Sequence, residues 1–259
     1  MIPVPRSRPG LGAPLGTRTT GGESPQSSRG IESMAEPRSE GTWLEQLRRR
    51  VDPVLVPALE RSFELGFLGS MPISDQIDHA LGFVAILERE LDGPPDSVID
   101  LGTGGGVPGL VLLACWPGSR VVLMDAGERR TEFLQGVIDG WPHPHLAEVL
   151  RGRAEELGQR SDLREAFAAV TSRSFGPPAA TAEIGSSFLD VGGLMVVSEP
   201  PDITDAARWP ADGLGVVGFA PVDTARPGER FGYQVLRKVE LLDIRYPRRV
   251  GVPVKRPLF

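Results

Sequence analysis

Between Trp43 and Leu91 apolar residues recur at helical spacing. Trp43, Leu44, Leu47 and Val51 begin one face, and Val54, Leu55, Ala58, Leu59 and Phe63 continue it after Pro53. Gly66, Gly69 and Pro72 interrupt the pattern. Ile77, Leu81, Val84, Ala85 and Leu87 resume it in residues 77–91. After Asp92-Gly93-Pro94-Pro95 the period changes. Short apolar runs at 97–101, 120–124, 147–150, 167–171 and 194–198 read as strands, and 108–115, 128–138 and 179–189 read as helices between them. Pro108 suits the first turn of its helix. Residues 214–219 and 233–239 read as strands with no long helix between them, so a final antiparallel pair is expected. Strands alternating with helices predict an α/β fold of the Rossmann-like kind. Its sheet is mostly parallel and seven-stranded, with helices on both faces and a small helical lead-in.

Residues 1–40 lack this periodicity and are rich in Pro, Gly, Ser, Thr and Arg. Such a segment buries too little surface to offset its ordering entropy, so it is expected to be disordered, with Met34 as an alternative start. The expected organisation is an extension over 1–40, a helical lead-in over 41–92 and a ligand-binding domain over 93–259. One cysteine, Cys115, excludes an internal disulfide framework and suits a reducing cytoplasm. With three histidines beside it, no metal site is expected. No apolar run reaches the length of a membrane span, and a cytoplasmic monomer is expected. A net charge of −6 argues against bulk coating of nucleic acid. It does not exclude the local run Arg245, Arg248, Arg249, Lys255 and Arg256, which reads either as a solvated tail or as a phosphate contact.

The chemistry concentrates after the first strand, in Asp100-Leu101-Gly102-Thr103-Gly104-Gly105-Gly106. Alternating glycines let a backbone turn tightly and approach a ligand at the carboxyl end of a central strand. A ligand-free turn and a nicotinamide-dependent oxidoreductase are the competing readings. The last glycine of the dinucleotide fingerprint is missing, since it would fall on Val107. Asp100 suits a carboxylate near a cationic amino-acid moiety. Asp125 closes the second strand, where a carboxylate can accept both hydroxyls of a ribose. Ala154 and Glu155, just beyond the third strand, either border an adenine or start a helix, with Glu155 favoured there by the helix dipole. The acid–glycine pattern resembles that of class I methyltransferases.

Five segments carry a closer resemblance: DLGTGGGVPGL at 100–110, LMDAGERRTEFL at 123–134, GRAEEL at 152–157, TSRSF at 171–175 and YPRRVGVPVKRPL at 246–258. In order and spacing they resemble the ribosomal small-subunit guanine-N7 methyltransferase family, also called the glucose-inhibited division protein B family. The likeness runs from about Ile77 to the C-terminus. It implies a class I methyltransferase that uses S-adenosylmethionine on a guanine N7 of ribosomal RNA. By that resemblance Gly102 and Val107 contact the methionine end of the cofactor and Asp125 the ribose, with Asp100 and Gly104 also counted as cofactor-binding. Ala154 and Glu155 lie by the adenine, Arg173 lines the cofactor or substrate side, and Arg248, Arg249 and Lys255 face RNA.

The substrate half departs from the family. Ser198-Glu199-Pro200 stands where members carry Lys-Gly, Gly82 stands where an acid follows the histidine, and Gly176-Pro177-Pro178 follows Arg173 unusually. A divergent methyltransferase acting on a small molecule, or a non-catalytic cofactor-binding paralogue, are the alternatives. Guanine N7 has a lone pair and no proton, so its methylation needs alignment rather than a general base. No residue is assigned as catalytic. His79 and Arg173 are candidates, His79 against the plainer reading of a structural helix residue.

Overall fold

Apolar residues alternate along the central strands, and this decides which side of the sheet each one covers. Val98, Val121 and Leu123 belong to one core cluster. Ile99, Leu101, Val122 and Met124 belong to the other, as the two-residue period of a strand requires. The computed structural model describes residues 40–51, 53–200, 206–225, 227 and 230–259. Of the extension expected over 1–40, residues 1–39, with Met34, lie outside the described residues, and Glu40 opens the first helix.

The strands are β1 (Ser97–Leu101), β2 (Arg120–Asp125), β3 (Ala147–Arg151), β4 (Phe167–Ser172), β5 (Leu189–Glu199), β6 (Phe219–Ala225) and β7 (Gly232–Lys238). They form one sheet in the order β3-β2-β1-β4-β5-β7-β6. Neighbours among β1 to β5 are parallel, and β7 runs antiparallel to both β5 and β6. The strand order reverses between β1 and β4. In open α/β sheets the crevice at that reversal, beyond the carboxyl ends of the strands, is where ligands bind.

The first core cluster draws on α1 (Glu40–Arg48), α2 (Leu55–Glu64), α3 (Ile73–Glu90), α4 (Gly109–Cys115) and α5 (Glu128–Asp139). The second draws on α6 (Ala154–Leu157), α7 (Pro178–Ser186) and α8 (Ala211–Gly215). A last short helix, α9 (Val252–Lys255), packs on α7. The lead-in helices belong to the same compact unit as the sheet, Arg38–Phe259. Leu55, Leu59 and Ser62 form the buried face of α2, and the Ser62 hydroxyl donates to the Gly105 carbonyl at 2.9 Å. The lead-in therefore supports the glycine loop directly. Among the described residues no helix is long and apolar enough to cross a membrane.

Residues 214–219 are not a strand. The chain forms α8 after Pro210, reaches the core with Leu214 and Val217, turns at Gly218 (φ +74°) and only then enters β6 at Phe219. A short apolar run buries equally well from a helical turn or a strand, so its periodicity alone does not separate the two. The strand expected at 194–198 is also longer, because α7 ends at Ser186 and β5 starts at Leu189.

Candidate functional site

The loop after β1 is held open by backbone geometry. Gly102 has φ +64°, a conformation costly for any residue with a Cβ. A Cβ there would also lie 2.7 Å from the Phe175 ring. The Thr103 amide donates to the Met124 carbonyl at 2.9 Å, and the Gly104 amide to Asp125 Oδ2 at 3.0 Å, so the loop is stitched to the end of β2. Asp100 lies beneath it, fully buried. Its Oδ1 accepts from the Thr171 hydroxyl at 2.9 Å and its Oδ2 from the Gly109 amide at 3.0 Å. Burial pushes this carboxyl up to about 6, against those hydrogen bonds, which pull it down.

At the carboxyl ends of β1 to β3 opens a cleft with about 520 Å³ of empty space. Four of the residues expected at a cofactor line it: Gly102, Asp125, Ala154 and Glu155. Asp125 is 5% exposed. Its Oδ1 accepts from the Gly127 amide at 2.7 Å and from Arg130 Nε at 3.0 Å, while among the described residues Oδ2 accepts only from Gly104. A carboxylate oxygen can take two donors, so Oδ2 keeps capacity for a ligand hydroxyl. Met124, Ile184 and Val254 give the cleft apolar walls, and Phe175 stands by Gly102.

The other expected residues lie elsewhere. Asp100 and Val107 are buried below the loop, with Val107 part of the first core cluster. Gly104 serves the cleft through its amide on Asp125 rather than by lining it. Arg173 sits on the far side of β1, at the end of β4, with Nη2 donating to Gln76 Oε1 at 2.9 Å. Its Nη1 is buried with no hydrogen-bond partner among the described residues, as is Ser172 Oγ beside it. Phe175, Ile184 and Val254 were not expected in the cleft. Phe175 falls within the family-like segment at 171–175, but Ile184 and Val254 carry no local signal.

Around Arg173 the structure assembles a second group of side chains. His79 Nε2 meets Ser198 Oγ at 2.9 Å, and the His79 ring stacks on Phe231 at 4.6 Å. Its Nδ1 has no hydrogen-bond partner among the described residues. Burial, helped by the charge of Arg173, lowers His79 to about 3 and keeps it neutral near pH 7. The Tyr233 hydroxyl donates to the His79 carbonyl at 2.6 Å and stands where a Cβ on Gly82 would be, 2.1 Å away. Gly82 is thus the space that Tyr233 fills. Glu199, in place of a basic residue, is paired with Arg208 at 2.8 Å.

The basic tail divides. Arg248 is committed internally, because Nη2 reaches the fully buried Glu183 at 2.6 Å and its Nε spans both carboxylate oxygens. That is a structural use, and it removes Arg248 from the expected set of free RNA-facing cations. Arg249 and Lys255 have no ion pair among the described residues. Arg249 lines an open surface hollow that adjoins the cleft at Glu155.

Residues 75–199 match the family model described as rRNA small subunit methyltransferase G. Among curated proteins, the chain is 34% identical over 167 residues to Ribosomal RNA small subunit methyltransferase G of Pelotomaculum thermopropionicum, covering 62% of this chain and 70% of that protein. It is 35% identical over 176 residues to the protein of the same name from Thermotoga sp. (strain RQ2), covering 66% and 75%. Among solved structures, cofactor-bound Rv0187 from MTB superposes with TM-score 0.51 at 15% identity, over 73% of this chain and 91% of that one, which is a likeness of fold. Relatives this similar over most of their own length place the chain: it belongs to the ribosomal RNA small subunit methyltransferase G family.

Proposed function

We propose that this chain is an S-adenosylmethionine-dependent enzyme that methylates guanine N7 in small-subunit ribosomal RNA. In this reading the cleft of Gly102, Asp125, Ala154 and Glu155 holds the cofactor. The observation that carries it is this cleft, at the carboxyl ends of β1 to β3, in a chain of this family.

The residues present fit the cofactor. Asp125 Oδ2 has room for a ribose hydroxyl, and Met124, Ile184 and Val254 suit the faces of an adenine. Arg173 Nη1 and Ser172 Oγ are buried donors without partners among the described residues, a cost a protein rarely carries unless a ligand satisfies them. An amino-acid carboxylate suits them. Bound S-adenosylmethionine supplies a methyl group already activated on a sulfonium.

The protein's own residues then have little proton chemistry to perform. Guanine N7 attacks with a free lone pair, so the site must position the base, exclude water and keep acidic protons away from that nitrogen. A neutral His79 is compatible with this, whereas an imidazolium would compete for the lone pair. Arg249 supplies a phosphate contact from the hollow beside the cleft, and Lys255 another from the residue after Val254 of the cleft wall. The acid at Glu199, awkward for RNA by itself, is neutralised by Arg208.

The test is methyl transfer from labelled S-adenosylmethionine to protein-free small-subunit RNA, followed by cleavage at N7-methylguanosine. One modified guanosine per RNA is expected, and Asp125→Ala should weaken cofactor binding at least tenfold. Cofactor binding without any transfer to RNA overturns the RNA reading and returns the small-molecule acceptor.

A further inference from the structure

We infer that residues 246–255 form a strap that completes the cofactor cleft, and that Glu183 is the positioning residue that seats it. The inference rests on reading the cleft as the cofactor site.

Glu183 is fully buried on α7, the helix whose Ala180 and Ile184 line the cleft. A buried carboxylate is costly unless charge and hydrogen bonds compensate it. Here the compensation comes from the strap. Glu183 Oε1 accepts from the Arg248 amide at 2.7 Å, and the two carboxylate oxygens take the Arg248 guanidinium at 2.6–3.0 Å. The hydrogen bonds it donates to Glu183 hold the pKa of the Arg248 guanidinium above its ordinary value.

A second anchor lies on the cleft itself. The Gly251 amide donates to Glu155 Oε1 at 2.9 Å, and Glu155 lines the cleft. Gln159 Nε2 donates to the Pro247 carbonyl at 2.8 Å and Arg164 Nη1 to the Tyr246 carbonyl at 2.7 Å. Between and beyond these points the strap places Val254 in the cleft wall, though Val254 is 54% exposed. Val254 has no strand or long helix to hold it. Its position depends on Glu183 and Glu155, so cofactor affinity depends on them too. By linkage, a bound cofactor must in turn steady the strap.

Hydrogen exchange and calorimetry with S-adenosylmethionine test this on the full chain. In the wild type, saturating cofactor should slow exchange of the amides of 246–255. In Glu183→Gln one oxygen still accepts from the Arg248 amide, but the new amide group faces the guanidinium. Strap amides should exchange faster while β-sheet amides do not, and cofactor Kd should rise about tenfold. The loss should appear in KM for the cofactor and not in kcat at saturation, a split that general destabilisation does not produce. Faster strap exchange with unchanged Kd overturns the proposal. If Glu183→Gln does not fold, Val254→Asp on the exposed strap replaces it, with the same tenfold loss expected and an unchanged Kd again overturning it. Absence of cofactor binding by the wild type overturns the reading of the cleft, whatever the strap does.

Discussion

The two sides of β1 are built by different means. On the cofactor side, toward β2 and β3, the glycine loop and the end of β2 are shaped by backbone amides on carboxylates close in sequence: Gly127 on Asp125, Gly109 on Asp100 and Gly104 on Asp125, at separations of 2, 9 and 21 residues, with the Thr171 hydroxyl on Asp100 and the strap's Gly251 amide on Glu155 added from 71 and 96 residues away. On the side of β4 and β5 the contacts are made by side chains from distant parts of the chain. Arg173 meets Gln76 across 97 residues, His79 meets Ser198 across 119, and Tyr233 meets His79 across 154. A site made of local backbone geometry tolerates few sequences and is written as a motif. A site made of long-range pairs can be rebuilt one partner at a time, as Tyr233 occupying the space at Gly82 illustrates.

The hardest blow to the cofactor side is a side chain at position 102. Gly102→Val forces a β-branched residue to φ +64° and drives its Cβ into Phe175. Cofactor affinity measured by calorimetry should fall at least about a hundredfold, or about 3 kcal/mol. Phe175→Ala should not restore it, because the backbone strain stays. A Kd within about threefold of wild type would show that the loop does not shape the cleft.

The next contrast is in pH. Asp100, under the cofactor side, is raised to about 6 from 3.8, so between those values the folded chain holds a proton that the unfolded chain has lost. Its contribution to stability is lost as pH rises. His79, on the other side, is lowered to about 3 from 6.5, so the unfolded chain holds the extra proton and stability is lost as pH falls. Between about pH 4 and 6 the two slopes, each on the order of 1.4 kcal/mol per pH unit, oppose each other. Urea unfolding at pH 4, 5 and 6 should separate them. Relative to wild type, His79→Gln should lose about 3 kcal/mol over that range as pH rises, and Asp100→Asn should gain about as much. In Asp100→Asn the Thr171 hydroxyl can turn to accept from the new amide while Gly109 keeps its acceptor. Parallel curves for the three proteins would remove the assignment.

The same division explains what the sequence disclosed. Gly102, Asp125 and Ala154-Glu155, which line the cleft, are legible because a glycine loop and strand-ending acids signal backbone geometry, which is local. Ile184 and Val254 reach the cleft through the packing of α7 and α9, and no spacing announces that. Arg248 reads as one cation among five in the tail, and only the fold brings the buried Glu183 to it across 65 residues. Asp100 reads as a ligand contact from the sequence because it precedes the glycines. Its side chain points under the loop and ties β1 to α4 and β4, which the pattern alone cannot distinguish. The elements followed the same rule: the parallel core was legible from its buried runs, and residues 214–219 were not, because Leu214 and Val217 bury from helical turns.

Gly82→Ala addresses the other side alone. Its Cβ would meet the Tyr233 hydroxyl and ring carbon at 2.1 and 2.5 Å. That ring is 1% exposed, packs edge-on against Phe83 at 5.0 Å and holds the His79 carbonyl, so it has little room to yield. Overpacking of this kind costs about 1–3 kcal/mol. Urea unfolding should register that loss and RNA methylation should slow, while cofactor Kd stays at the wild-type value. A matching loss of cofactor affinity would mean that the two sides are not independent.

The smallest effect is expected at the tail, where RNA contact is proposed, and it separates two neighbouring arginines. Each cation that contacts a phosphate releases counterions, so its removal lowers the salt slope of binding by roughly 0.7 to 0.9. Arg249, without an ion pair among the described residues and beside the cleft, should behave this way: Arg249→Gln weakens RNA binding several-fold at low salt and flattens its dependence on salt. Arg248 is neutralised by Glu183 before any RNA arrives. Arg248→Gln should leave the salt slope unchanged and instead lower stability, because it strands a buried carboxylate. Titrations of protein-free small-subunit RNA at several salt concentrations, with unfolding curves on the same proteins, decide between them. Equal changes in slope for both variants would mean that Arg248 leaves Glu183 for a phosphate, and that the strap is opened by RNA rather than fixed before it binds.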